Sequence, residues 1–102
     1  MSISFYNSAT RRKETFVPLE KGKVKLYTCG PTVYDDAHIG NFRTFLFEDF
    51  LKRFLILRGF NVTHIMNLTD VDDKTINRAN EEGIGLKTLT EKFINNFFRD
   101  SE

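Results

Sequence analysis

Two short stretches hold most of the side chains in this sequence that could do chemistry. Residues 29–41 read Cys29-Gly30-Pro31-Thr32-Val33-Tyr34-Asp35-Asp36-Ala37-His38-Ile39-Gly40-Asn41, and residues 67–74 read Asn67-Leu68-Thr69-Asp70-Val71-Asp72-Asp73-Lys74. An imidazole at the start of a helix faces unsatisfied backbone N–H groups and the positive end of the helix dipole, a setting that suits a phosphate. His38 therefore reads in two ways: it helps hold a nucleotide, or it caps the helix together with Asn41. Gly40 lies in the same first turn. Glycine there costs roughly 1 kcal/mol against alanine, so it either admits a ligand close to the backbone or relieves crowding.

Cys29 is the one cysteine of the chain. A lone cysteine is ordinarily a small buried apolar residue, and as a zinc ligand it needs about three partners. Only His38 and His64 share its ligand chemistry in finger-like terms, and their spacing makes no zinc motif. In the second stretch, Asp70, Asp72 and Glu81 match positions one, three and twelve of a calcium loop, but Lys74 and Thr75 stand where an oxygen ligand and a glycine are required. That reading fails. Helix capping by Thr69 or Asp70 accounts for much of the segment, yet not for so many polar groups at the edge shared with the first stretch. Walker-type and dinucleotide loops are also excluded. Gly22-Lys23 is followed by Val24, and Gly83-Ile84-Gly85 lacks the third glycine.

The elements that must position these groups follow from the hydrophobic pattern. Val24 to Cys29 is rich in β-branched and aromatic residues and stops at Gly30-Pro31, which predicts a strand. From Asn41 to Leu57 the apolar residues Phe42, Phe45, Leu46, Phe50, Phe54 and Leu57 recur at helical spacing, and Arg58-Gly59 supplies a C-terminal cap. Six of the eleven phenylalanines fall between Phe42 and Phe60, so this helix is expected to be the main core element. A second strand is predicted at Val62 to Asn67, a second helix from Asp72 to Glu82, and a third carrying Leu89, Phe93 and Phe97. Strands alternating with helices in this way predict an α/β fold with a parallel sheet flanked by helices. Ligands then sit beyond the carboxyl ends of the strands, where both reactive stretches lie.

Composition narrows the classes. The chain has 102 residues, 40% apolar and 28% charged, with no repeat, low-complexity tract or internal boundary, so residues 1–102 are expected to share one core. No apolar run approaches the roughly 20 residues of a membrane span. The absence of a signal-like N-terminus and of paired cysteines predicts a cytoplasmic setting. A net charge of +1 argues against a dedicated phosphate-backbone binder, so contacts to any nucleic-acid partner are expected mostly elsewhere.

The two stretches together resemble the class I aminoacyl-tRNA synthetases, and specifically the cysteine-specific family. His38-Ile39-Gly40-Asn41 looks like the HIGH signature, Tyr27 to Asp35 resembles the cysteine-specific stretch, and Asn67 to Lys74 resembles the N-[IL]-T-D-[IV]-D-D-K block. The resemblance runs from Phe5 to about Glu82. It implies a Rossmann-like nucleotide-binding fold, of which residues 1–102 supply the first half, and an ATP-dependent activation of L-cysteine followed by transfer to tRNA(Cys). It further implies that His38, Gly40 and Asn41 bind ATP, with His38 and Asn41 catalytic, and that Cys29, Gly30 and Thr69 bind cysteine. Zn2+, with Cys29 as one ligand, and Mg2+ with ATP are the implied cofactors. Asn41 departs from the signature's second histidine: an amide keeps the hydrogen-bonding capacity but carries no charge. The family's other zinc ligands, its KMSKS loop, the second half of its nucleotide fold and its anticodon-binding region have no counterpart in these residues. Residues 1–102 alone are accordingly expected to be inactive and to expose apolar surface on the phenylalanine-rich helix. Two other readings share these residues. One is a ligase joining cysteine to an aminosugar, which its acceptor would distinguish. The other is a non-catalytic nucleotide-binding module, which would bind ATP without cysteine-dependent pyrophosphate exchange.

Overall fold

A computed structural model describes residues 2–102. The order is β1 (Ser4–Asn7), β2 (Arg12–Thr15), β3 (Lys23–Thr28), α1 (Ile39–Leu57), β4 (Asn61–Met66), α2 (Asp73–Glu82) and α3 (Leu86–Ser101). Strands β3 and β4 pair in parallel, from Lys23 opposite Asn61 to Thr28 opposite Met66, with α1 as the connection between them. This is the strand–helix–strand unit that the alternating pattern predicts, and α2 and α3 extend it to an α/β architecture.

The hairpin of β1 and β2 was not foreseen. It pairs Ser4 with Thr15 and Asn7 with Arg12 in antiparallel register, and Arg11 adopts the left-handed conformation (φ 57°) in its turn. Strands of four residues carry too little alternation to be read from sequence. Phe16 anchors the hairpin by touching Phe5 and Phe60, with ring centroids 5.5 and 5.9 Å apart. Hydrogen bonds from Thr10, Arg12 and Asn7, in that order of weight, hold the Glu14 carboxyl below its ordinary pKa.

The core lies elsewhere than the phenylalanine count implies. It is formed by Val33, Ala79, Leu89 and Phe93, with Leu68, Leu86 and Ile94 packed against it, so that α2, α3 and the two reactive turns build it together. The expectation that α1 is the main core element is corrected. Leu46, Phe50 and Leu57, assigned to its buried face, are exposed, as is Phe47. The side chains α1 buries most are Leu55 and Glu48, and one Glu48 carboxylate oxygen has no hydrogen-bond partner among the described residues. The reason is geometric. Apolar residues run around α1 on all sides, and a sheet of two strands offers only a narrow platform, so one stripe of the helix is covered and the rest is not. Phe42 and Phe45 do find cover at the other end of α1, where both rings meet Phe97 of α3 at 6.1 and 5.5 Å.

Candidate functional site

The two reactive turns meet beyond the carboxyl ends of β3 and β4. Val33 N–H donates to Thr69 O and Thr69 N–H donates to Pro31 O, both at 3.0 Å, so a short parallel bridge at Thr32 and Thr69 continues the strand pairing into the turns. Gly30 N–H donates to Asn67 Oδ1 at 2.7 Å. Gly30 has a structural necessity here: a Cβ on it would lie 2.0 Å from the Asn67 carbonyl oxygen, closer than any side chain tolerates. Thr69, expected beside Asp70 as a helix cap, is instead spent on this bridge through its backbone. The cap of α2 is Asp72, whose carboxylate accepts from Lys74 N–H at 3.0 Å while Asp72 N–H donates to Thr75 Oγ1 at 3.0 Å. Asp72 wins because Thr69 is already tied to Pro31 and Val33, four residues before the helix begins.

At the start of α1, His38 and Asn41 form a reciprocal cap. Gly40 N–H donates to His38 Nδ1 at 3.1 Å, and His38 N–H donates to Asn41 Oδ1 at 3.0 Å. This has a chemical consequence. With Nδ1 accepting, neutral His38 carries its proton on Nε2, and with Oδ1 occupied, Asn41 keeps its amide N–H groups free of the cap. Both side chains are thus left as donors. The imidazole also lies over Gly40, whose added Cβ would meet His38 Cε1 at 2.9 Å. Capping and ligand binding, alternatives in the sequence, are compatible in the structure: the cap orients the donors.

Cys29, Gly30, His38 and Asn41 all line one open cavity of about 320 Å3. Gly40 and Thr69 are not among its lining residues. Cys29 follows directly on the last residue of β3 and is a free, exposed thiol, not the buried apolar residue that a lone cysteine usually is. The wall also includes Thr32, Tyr34, Thr44, Phe45 and Lys74, none of which the sequence marked as a candidate site residue. The lip at Tyr34-Asp35-Asp36 is held by side chains distant in sequence. Arg78 Nη1 lies 3.7 Å from Asp35 Oδ2, and Asn96 Nδ2 donates to Asp36 Oδ1 at 2.7 Å. Lys74 Nζ sits 5.5 Å from the centre of the Tyr34 ring. A hydrogen bond to Glu82 at 2.9 Å raises the Arg78 pKa; burial opposes this, and the charges of Glu82, Asp35 and Glu81 add to it. Arg78 therefore stays a cation at neutral pH. Nothing local in the sequence signals these contacts, because each spans separate elements.

The donors do not fit a zinc site by themselves. Cys29 offers one thiolate, but no group of three His, Cys, Asp or Glu side chains among the described residues converges to hold a metal, against the three or four protein ligands zinc ordinarily takes.

Residues 15–102 match the family model of the class I (C) tRNA synthetase catalytic domain. The chain belongs to that family. Among the curated members of this synthetase family, it is 55% identical over 102 residues to the cysteine–tRNA ligase of Chlamydia muridarum (strain MoPn / Nigg), covering 100% of this chain and 21% of that protein. It is 56% identical over 100 residues to that of Clostridioides difficile (strain 630), covering 98% of this chain and 22% of the relative. The Bacillus velezensis (strain DSM 23117 / BGSC 10A6 / LMG 26770 / FZB42) cysteine–tRNA ligase is 52% identical over 100 residues, covering 98% of this chain and 22% of its own length. The chain therefore spans about a fifth of the length of the curated relatives it matches. No helix among the described residues is long and apolar enough to cross a membrane.

Proposed function

We propose that this chain supplies part of the site at which a cysteine–tRNA ligase activates L-cysteine with ATP and passes the cysteinyl group to tRNA(Cys). The observation that carries the reading is the shared cavity, where a free thiol after β3 and the donors of His38 and Asn41 at the start of α1 face the same space. The parallel β3–α1–β4 unit supports a Rossmann-like nucleotide-binding fold, with ligands at the carboxyl ends of its strands. In the activation step a carboxylate oxygen of cysteine attacks the α-phosphate, a new C–O–P bridge forms, and the bond to the β-phosphate breaks as pyrophosphate leaves. The cysteinyl group then passes to the 3′ end of the tRNA. Little of this requires covalent help from the protein, so its contribution is positioning and charge stabilisation. His38 Nε2–H and the Asn41 amide donate to the nucleotide phosphates, pre-oriented by the cap. The catalytic and ATP-binding roles fall to His38 and Asn41, with Gly40 allowing the imidazole its place. Cys29, Gly30 and Thr69 form the cysteine side of the site, Gly30 and Thr69 by fixing the turns around Cys29. Zn2+ and ATP-bound Mg2+ are the cofactors of this reading; Cys29 would be one zinc ligand, a thiolate suited to a thiolate-binding metal.

The test is cysteine-dependent ATP–pyrophosphate exchange by the protein expressed from its complete gene. Exchange with cysteine and little with serine is expected, and Cys29→Ser should weaken cysteine binding far more than ATP binding. A wild-type protein that binds ATP but shows no cysteine-dependent exchange would overturn the reading.

A further inference from the structure

Among the described residues the cavity wall contains one permanent cation, Lys74, and two carboxylates, those of Asp35 and Asp36. Both carboxylates are engaged from other elements, Asp35 by Arg78 and Asp36 by Asn96. Asp72, the nearest carboxylate in sequence, accepts from the backbone N–H of Lys74 rather than from its ammonium group. Lys74 itself pairs with no carboxylate among the described residues, and its ammonium group lies over the face of Tyr34, another residue of the wall. A lysine in the first turn of a helix also opposes the dipole, so local helix stability does not explain it. The Tyr34 ring holds the lysine against the cavity without neutralising it.

We propose that Lys74 is an anion-binding residue of this cavity, its ammonium group taking an oxyanion of the reacting pair. That oxyanion is the carboxylate of the amino acid or the α-phosphate of the nucleotide, the two groups that the activation step joins. The proposal rests on the reading above and adds a residue to it. Lys74 is exposed, so its replacement removes a charge without emptying a core position.

The experiment compares wild type, Lys74→Gln, Lys74→Arg and Tyr34→Leu in cysteine-dependent pyrophosphate exchange, using the protein expressed from its complete gene. Lys87→Gln, which removes an exposed charge from α3, serves as the control. Lys74→Gln is expected to lower kcat/KM by about 10- to 100-fold, the scale of a lost charge-assisted hydrogen bond, with unchanged thermal midpoint. Lys74→Arg should recover part of the loss, and Tyr34→Leu should show a smaller one. Direct binding separates the sources. Weaker cysteine affinity without ATP assigns the carboxylate, and weaker ATP affinity without cysteine assigns the phosphate. A fall in kcat with both affinities intact places the charge on the transition state. Active wild type with Lys74→Gln within about twofold of it would overturn the Lys74 assignment alone. Wild type without exchange would overturn the reading and the assignment together.

Discussion

Helices α1 and α3 use the same residue type to opposite effect. On α3 the apolar side chains gather on one face, and Leu89, Phe93 and Phe97 are buried together with Thr90. On α1 they are spread around the helix; Leu46, Phe47, Phe50 and Leu57 are exposed, and the buried pair is a leucine and a glutamate. The difference shows that the number of aromatics in a segment does not decide where a core forms. A core needs a partner surface wide enough to cover them. For Leu89 and Phe93 of α3 that surface is α2 and the Val33 turn, and for Phe97 it is the Phe42 and Phe45 rings at the start of α1; the rest of α1 has only the two strands β3 and β4.

Truncating side chains in a polypeptide of residues 1–102 tests this contrast most directly. Phe93→Ala should cost about 3–5 kcal/mol and Leu89→Ala about 2–5 kcal/mol, since each empties a filled core position. Phe50→Ala, on the exposed side of α1, should stay within about 0.5 kcal/mol of the parent. Urea unfolding provides the comparison, and a comparable loss at Phe50 would show that α1 carries a core of its own.

The buried glutamate sharpens the contrast from the other side. An unpaired buried carboxylate oxygen destabilises, so Glu48→Met should raise stability by about 1–3 kcal/mol. If the same urea midpoint falls, Glu48 has a partner and α1 is better satisfied than its hydrogen bonds indicate.

The helix starts differ as well. His38 and Asn41 close a reciprocal cap on α1, whereas Gly85 at the start of α3 makes no side-chain cap bond. His38→Ala should cost about 1 kcal/mol, with the loss of amide protection confined to the first turn of α1. A variant with full protection there would mean that the cap is not what holds the imidazole over Gly40. The smallest effect is the converse. Gly85→Ser places a hydroxyl on extended backbone (φ −66°, ψ 146°) and should stabilise α3 by a few tenths of a kcal/mol, read as a small upward shift in thermal midpoint. Destabilisation there would mean that the α3 start has no room for a cap.

Part of the candidate cavity was legible. Cys29, His38 and Asn41 were marked by residue type at the ends of predicted elements, and they line one cavity. Gly30 carried no signal of its necessity, because the atom that forbids a Cβ, the Asn67 carbonyl oxygen, lies 37 positions away in the chain. Lys74 and Tyr34 stood inside motifs without a visible role, since their pairing depends on how the two turns approach. Arg78 and Asn96, which steady the lip, had no local signature at all.

Periodicity, turn residues and β-branched runs determined the elements from Lys23 onward and the end of the sheet at which chemistry gathers, because these follow from backbone preferences within a few residues. The choice of core, the burial of Glu48, the exposure of Phe50 and the use of Thr69 as a bridge were decided by tertiary structure alone. Each depends on which surfaces come to face each other, and solvent exclusion acts on that geometry rather than on composition.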